Sequence, residues 1–137
     1  MPAQKDRIIV DTNLWIHFLL SGKWEVLARK IEEYEVTLVF SEELLQEFIE
    51  VTQRPKFSNY FQLKDVEELL KAVTLRAVFT EVTTVISVCR DPNDNFLLAL
   101  AVDSAATHLL TGDKDLLILK KIKKTRILTV ADYLKIK

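Results

Sequence analysis

Arg7-Ile8-Ile9-Val10-Asp11-Thr12-Asn13 and, late in the chain, His108-Leu109-Leu110-Thr111-Gly112-Asp113 are two short apolar runs that each end in an aspartate. Apolar runs this short, rich in aliphatic residues, read as strands buried on both faces. Arg7 to Val10 is the first strand and His108 to Thr111 the fourth. Between them the pattern alternates. Leu14 to Leu20 reads as a helix ended by Ser21-Gly22, and Trp24 to Tyr34 as a second helix with Val26, Leu27 and Ile31 on its apolar face. Thr37 to Phe40 is the second strand. Ser41 caps the next helix, whose apolar residues include Leu45, Phe48 and Ile49, and Arg54-Pro55 stops it. Val66 to Leu75 is amphipathic, and the β-branched stretch Val78 to Val88 predicts the third strand. Asp91-Pro92 opens a largely buried helix through Ala106, with Asp91 as N-cap and proline at the first helical position. A short helix over Asp115 to Lys121, a last strand over Arg126 to Leu128 and a helix from Val130 complete the chain. Strands separated by helices predict an α/β fold with a central, mainly parallel sheet covered on both faces. Ligands of such sheets bind outside the carboxyl ends of the strands, which places Asp11 and Asp113 at the functional edge.

The 137 residues suit one domain, 1–137, and 49% apolar content supplies a core. The single cysteine, Cys89, cannot form an internal disulfide and points to a reducing compartment. The start, Met1 to Arg7, lacks the apolar stretch of a signal peptide, and the longest apolar run, Phe96 to Val102, is far short of a membrane span. The expectation is a cytoplasmic protein without a membrane partner. Glycine occurs only at 22 and 112, which excludes glycine-rich phosphate loops and the dinucleotide fingerprint. His17 and His108 have no zinc-ligand spacing. Residues 114–137 hold eight of the 19 basic residues and two of the 20 acidic ones. That basic end either contacts phosphates or is a solvated face.

Asp94 falls in the first turn of the helix opened by Asp91-Pro92, and Glu47 lies mid-helix beside the apolar stripe. Each acid has an ordinary explanation. Asp11 and Asp113 can be helix caps, Asp94 can complement the helix dipole, and Glu47 can be a solvated charge that the helical wheel does not separate from Glu42. Convergence argues for more. Carboxylates gathered at one sheet edge repel unless a cation lies between them, and a hard divalent ion favours such oxygen ligands.

With Asp11-Thr12-Asn13 after a strand, Glu47 in a helix, Asp91-Pro92-Asn93-Asp94-Asn95, and Thr111-Gly112-Asp113-Lys114-Asp115-Leu116-Leu117, the chain resembles the PIN-domain family. It is most similar to the prokaryotic group described as toxin components of toxin–antitoxin systems, relatives of the VapC toxins. The resemblance covers nearly the whole chain, in order. It implies a three-layer α/β/α fold, Mg²⁺- or Mn²⁺-dependent endoribonuclease activity on single-stranded or structured RNA, a homodimer and a small antitoxin protein as partner. It places catalytic and metal-binding carboxylates on Asp11, Glu47, Asp94 and Asp113, with Asn13, Asp91, Thr111 and Asp115 in supporting positions. Asp11 is then the central ligand, Glu47 and Asp94 complete coordination or position water, and Thr111 and Asn13 orient carboxylates. Lys114, Lys120, Lys121, Lys123 and Lys124 are candidate RNA phosphate contacts. Trp15 and Trp24 read as packing residues. Lys56 to Phe61 holds three aromatics suited either to an interface or to the edge of the core.

Other readings fit less well. A phosphotransfer receiver domain looks for paired acids after its first strand and an accepting aspartate after its third, but Thr12 and Asn13 follow Asp11, and Val78 to Val88 ends in no aspartate. A haloacid-dehalogenase-like phosphatase looks for an aspartate where Asn13 stands. A PIN fold that only binds RNA or protein differs from the enzyme in lacking metal-dependent cleavage.

Overall fold

The computed structural model describes residues 5–21, 24–58 and 63–137. The helix-ending Gly22 and the aromatics Tyr60 and Phe61 lie outside the described residues, as do residues 1–4. Six strands form one sheet: β1 (Arg7–Val10), β2 (Thr37–Phe40), β3 (Ala77–Phe79), β4 (His108–Leu110), β5 (Lys121–Ile122) and β6 (Thr125–Leu128). Their spatial order is β3-β2-β1-β4-β6-β5. Every pairing is parallel except β5 with β6. Ile8, Ile9 and Val10 point alternately to the two faces, yet all three are buried. Both faces are therefore covered, as a parallel sheet requires.

The covering helices are α1 (Thr12–Ser21), α2 (Trp24–Glu33), α3 (Glu42–Thr52), α4 (Pro55–Ser58), α5 (Leu63–Thr74), α6 (Pro92–Ser104), α7 (Lys114–Leu117) and α8 (Val130–Lys135). Ser41 caps α3 by accepting the Leu44 amide at 3.0 Å, and Asp91 caps α6 by accepting the Asn93 amide at 2.9 Å. Helix α6 is the central one: Leu97 to Ala101 are all buried, so nearly its whole circumference meets protein. Trp15 is buried against Phe18, Trp24, Phe40 and Phe48, in keeping with a packing role.

Two expectations change. The third strand, expected somewhere within Val78 to Val88, occupies only the start of that stretch, as Ala77–Phe79. The last ladder bond donates the Thr80 amide to the Phe40 carbonyl at 2.8 Å. Beyond it, side chains of α6 take over the backbone. Asp103 accepts the amides of Thr83 and Thr84 and the Thr84 hydroxyl, and Asn95 accepts those of Val88 and Cys89. β-Branched composition favours an extended chain, but a strand also needs a neighbouring strand, and here the neighbour is a helix. The helix expected over Asp115 to Lys121 is likewise shorter. It gives way to the β5–β6 hairpin, whose turn is Lys123-Lys124.

The chain steps from β1 to β2 and β3 in one direction, then returns through α6 to β4 on the other side of β1. The reversal opens a crevice outside the carboxyl ends of β1 and β4. The amide of Asp11 donates to the Leu110 carbonyl at 3.0 Å, so the ladder runs directly into the site.

Candidate metal centre

Of the helices that begin at this edge, α1, α6 and α7 each bring a carboxylate to the crevice. Asp11 leaves β1 and turns into α1. Its carboxylate accepts the Asn13 amide at 3.3 Å, and its carbonyl accepts the Leu14 amide at 2.9 Å. Asp113 leaves β4 and caps α7 by accepting the Asp115 amide at 2.8 Å. Asp91 and Asp94 belong to the first turn of α6. The capping explanation is thus correct as far as it goes, because helix N-termini favour negative charge. It leaves unexplained why three such termini meet in one place.

Thr111 ties two of them together. Its fully buried hydroxyl donates to the Asp11 carboxylate at 2.8 Å and accepts the Asp113 amide at 3.0 Å. Both aspartates are fixed by one side chain at the end of β4. Asp115 is held by Arg90, whose guanidinium donates to both carboxylate oxygens at 3.1 and 3.0 Å.

Asp94 differs from the others. It is 5% exposed, and its Oδ2 is buried without a hydrogen-bond partner. Burial is the main reason that its pKa rises from 3.8 to about 6. The charges of Asp113, Asp91 and Asp11 push the same way, and the Asp113 carboxyl stands close enough to share its proton. Burial also raises the pKa of Asp11, against the stabilising bonds from Thr111 and Asn13. Glu47, half-buried on α3, is raised by burial and then by the charge of Asp11, with Arg54 opposing. Carboxylate oxygens of Asp94, Asp113 and Asp115 lie within 4.8 Å of one another. Asp11 and Glu47 stand outside that closest group but line the same cavity of about 560 Å³, with Asn13, Asp91, Asp94 and Asp113. An unpaired buried oxygen among mutually repelling carboxylates fits a hard divalent cation.

The structure therefore brings Asp11, Glu47, Asp94 and Asp113 to one cavity, with Asn13 and Asp91 on its wall and Thr111 and Asp115 beneath or beside it. Asp115 stands beside Asp94 and Asp113 while paired with Arg90. Lysines of the basic end are dispersed. Lys114 begins α7 beside Asp113. Lys120 and Lys121 run into β5, where the Lys120 carbonyl accepts the Ile127 amide. Lys123 and Lys124 share a hollow with Ala101, Val102 and Ala105 at the far end of α6. Since β6 pairs with β4 in parallel, His108 opposite Arg126, the hairpin turn lies at the sheet edge opposite to the carboxylates. The cavity instead takes its cations from Arg54 and Lys56. In the sequence Arg54-Pro55 is a helix stop, and the one other signal is a pair of cations, Arg54 and Lys56, soon after the helix that bears Glu47.

Residues 7–115 match the family model of the PIN domain. Over 127 residues the chain is 30% identical to an uncharacterized protein of Methanocaldococcus jannaschii, which covers 90% of this chain and 81% of that protein. No solved structure matches the chain at a significant level. Among the described residues no helix is long and apolar enough to cross a membrane.

Proposed function

The chain belongs to the PIN-domain family, a nuclease-type fold, and from that premise we propose that it is a divalent-metal-dependent endoribonuclease acting at the Asp11–Glu47–Asp94–Asp113 cavity. The observation that carries this reading is the buried, unpartnered Asp94 oxygen facing other acids. A bound Mg²⁺ or Mn²⁺ supplies water activation and charge neutralisation at a phosphodiester. Asp11, Asp94 and Asp113 would hold the ion at this cavity. Thr111 keeps Asp11 and Asp113 from swinging apart. Glu47, on the facing helix, would complete the coordination or position a water, its carboxyl pushed up by burial and by the charge of Asp11. The Asn13 amide donates to the Asp11 carboxylate, and Asp91 caps the helix that carries Asp94.

The motifs resemble those of VapC toxins, so the proposal extends to a toxin of a toxin–antitoxin pair, active as a homodimer in the cytoplasm and restrained by a small antitoxin protein. The test is cleavage of an RNA panel with Mg²⁺, Mn²⁺ or EDTA by wild type, Asp11→Asn and Asp94→Asn. Cleavage is expected with metal only, and in neither variant, with circular dichroism unchanged. Full activity in EDTA or in both variants refutes the nuclease site. Growth arrest on expression of the wild type but not of Asp94→Asn tests the toxin role.

A further inference from the structure

The cavity has an outer wall that the carboxylates do not use. It is built from the end of α3 and the start of α4, where Val51, Arg54, Lys56 and Phe57 line the opening. Arg54 and Lys56 are exposed, and the field of Arg54, just beyond the end of α3, reaches Glu47 within that helix. The Lys56 ammonium stands 5.4 Å from the centre of the Phe57 ring, so a cation and an aromatic face are presented together. Among the described residues lining the cavity, these are the only lysine and arginine.

An RNA strand approaching Asp11, Glu47, Asp91, Asp94 and Asp113 meets strong repulsion, which a cation at the scissile phosphate relieves only locally. The neighbouring phosphate needs a counter-charge of its own. The lysine hairpin cannot provide it, because Lys123 and Lys124 sit at the opposite edge of the sheet. Arg54 can, since its planar fork suits phosphate oxygens, and Lys56 adds a point charge two residues on.

We infer that Arg54 and Lys56 seat the RNA phosphate adjoining the scissile one, so that the strand crosses the α3–α4 mouth of the cavity rather than following the lysine hairpin. This rests on the nuclease reading, and the two residues act as positioning groups. Neither residue belongs to the carboxylate set, so removal of the pair should weaken binding more than it slows the turnover of bound strands.

Two measurements separate this inference from the reading beneath it. Steady-state cleavage of a single-stranded RNA oligonucleotide with Mn²⁺ compares wild type with R54A/K56A and with K123A/K124A. Fluorescence anisotropy of the same labelled RNA, over a range of salt, uses the same pairs in the Asp94→Asn background, where the strand is not cut. For R54A/K56A we expect KM to rise about tenfold and kcat to stay within about threefold, with binding correspondingly weaker. The slope of log affinity against log salt should become shallower by about 0.7, which is one single-strand phosphate contact. Arg54→Lys should recover part of the loss, and it keeps the test valid if the double variant folds poorly. K123A/K124A should move both quantities much less. Unchanged KM and salt slope in R54A/K56A overturn the inference, as does a larger effect of the hairpin pair or a loss confined to kcat. Should the protein bind RNA with this dependence yet cleave none, the phosphate seat stands and the nuclease reading falls. No RNA binding at all overturns both.

Discussion

Replacing Asp94 by asparagine should stabilise the metal-free protein, and by an amount that depends on pH. Displacement of the ionisation from 3.8 to about 6 is a shift of roughly a hundredfold in the proton equilibrium, or at most about 3 kcal/mol. Proton sharing with Asp113 and water in the open cavity reduce this, so about 1–3 kcal/mol is expected. The sign follows from linkage. An acid whose folded pKa is raised holds its proton more tightly in the native state, so stability falls as pH rises from the unfolded value near 3.8 through the folded value near 6. The asparagine variant does not titrate there. Its advantage over wild type should be about a third of its full size near pH 4.5 and complete above about pH 7. Thermal melts in EDTA read the difference directly. At ~3–4 °C per kcal/mol for a chain of this length, the variant should melt roughly 3–12 °C higher at neutral pH. Saturating Mn²⁺ should reverse the order. It stabilises wild type by about 2.7 kcal/mol at a free concentration a hundredfold above its dissociation constant, and the variant by less, because a ligand is missing. A variant that melts no higher than wild type at neutral pH, or by the same margin at both pH values, would show that the buried carboxylate is not strained by its neighbours. Equal shifts with metal would remove Asp94 from the ligand set.

Glu47→Gln should repeat the pattern with a smaller apo stabilisation, since Glu47 is only half-buried, while Glu42→Gln on the exposed side of α3 should change neither apo melting nor the Mn²⁺ shift. Thr111→Val, close in shape, removes the hydroxyl between the Asp11 carboxylate and the Asp113 amide. It should cost about 1–3 kcal/mol in denaturant unfolding and weaken the metal shift, whereas Thr111→Ser should retain most of both. Burial holds the pKa of His108 below 6.5, the Asp6 charge opposing and Arg126 and Lys137 adding to the effect. Its native state therefore binds fewer protons than the unfolded chain as pH falls through 6.5, so acidification should destabilise the fold at this residue, opposite in sign to Asp94. An imidazole titration midpoint at or above 6.5 by NMR would contradict it.

Much of the site was legible in the chain because its acids are tied to local signals. Asp11 and Asp113 follow buried strands, which alone places them at one sheet edge, and Asp94 follows an N-cap and a helix-starting proline, which places it in a first turn; only the family resemblance joined Asp94 to that edge. Strand and helix identities followed from apolar periodicity for the same reason: they depend on neighbours three or four residues away. Glu47 was a different matter. Leu44, Phe48 and Val51 show which stripe of α3 is buried, but a residue beside a stripe faces either solvent or a cavity according to what packs opposite. Here that is the start of α1 and the mouth of the carboxylate cavity. Tertiary structure alone decided that Glu42 and Glu43 instead line a hollow with Phe79 and Glu81. It also decided the fate of residues 80–88, whose composition favours an extended chain but whose backbone partners are the Asp103 and Asn95 side chains of α6. And it separated the cations. Lys123 and Lys124 are near Asp113 in sequence but lie at the other end of the sheet, because a hairpin reverses the chain before β6 begins. Arg54 and Lys56 are far from Asp113 in sequence and share its cavity, because α3 packs over the same edge. Local interactions fix which elements form and how each begins; the electrostatics of the site belong to charges that only the packing of those elements brings together.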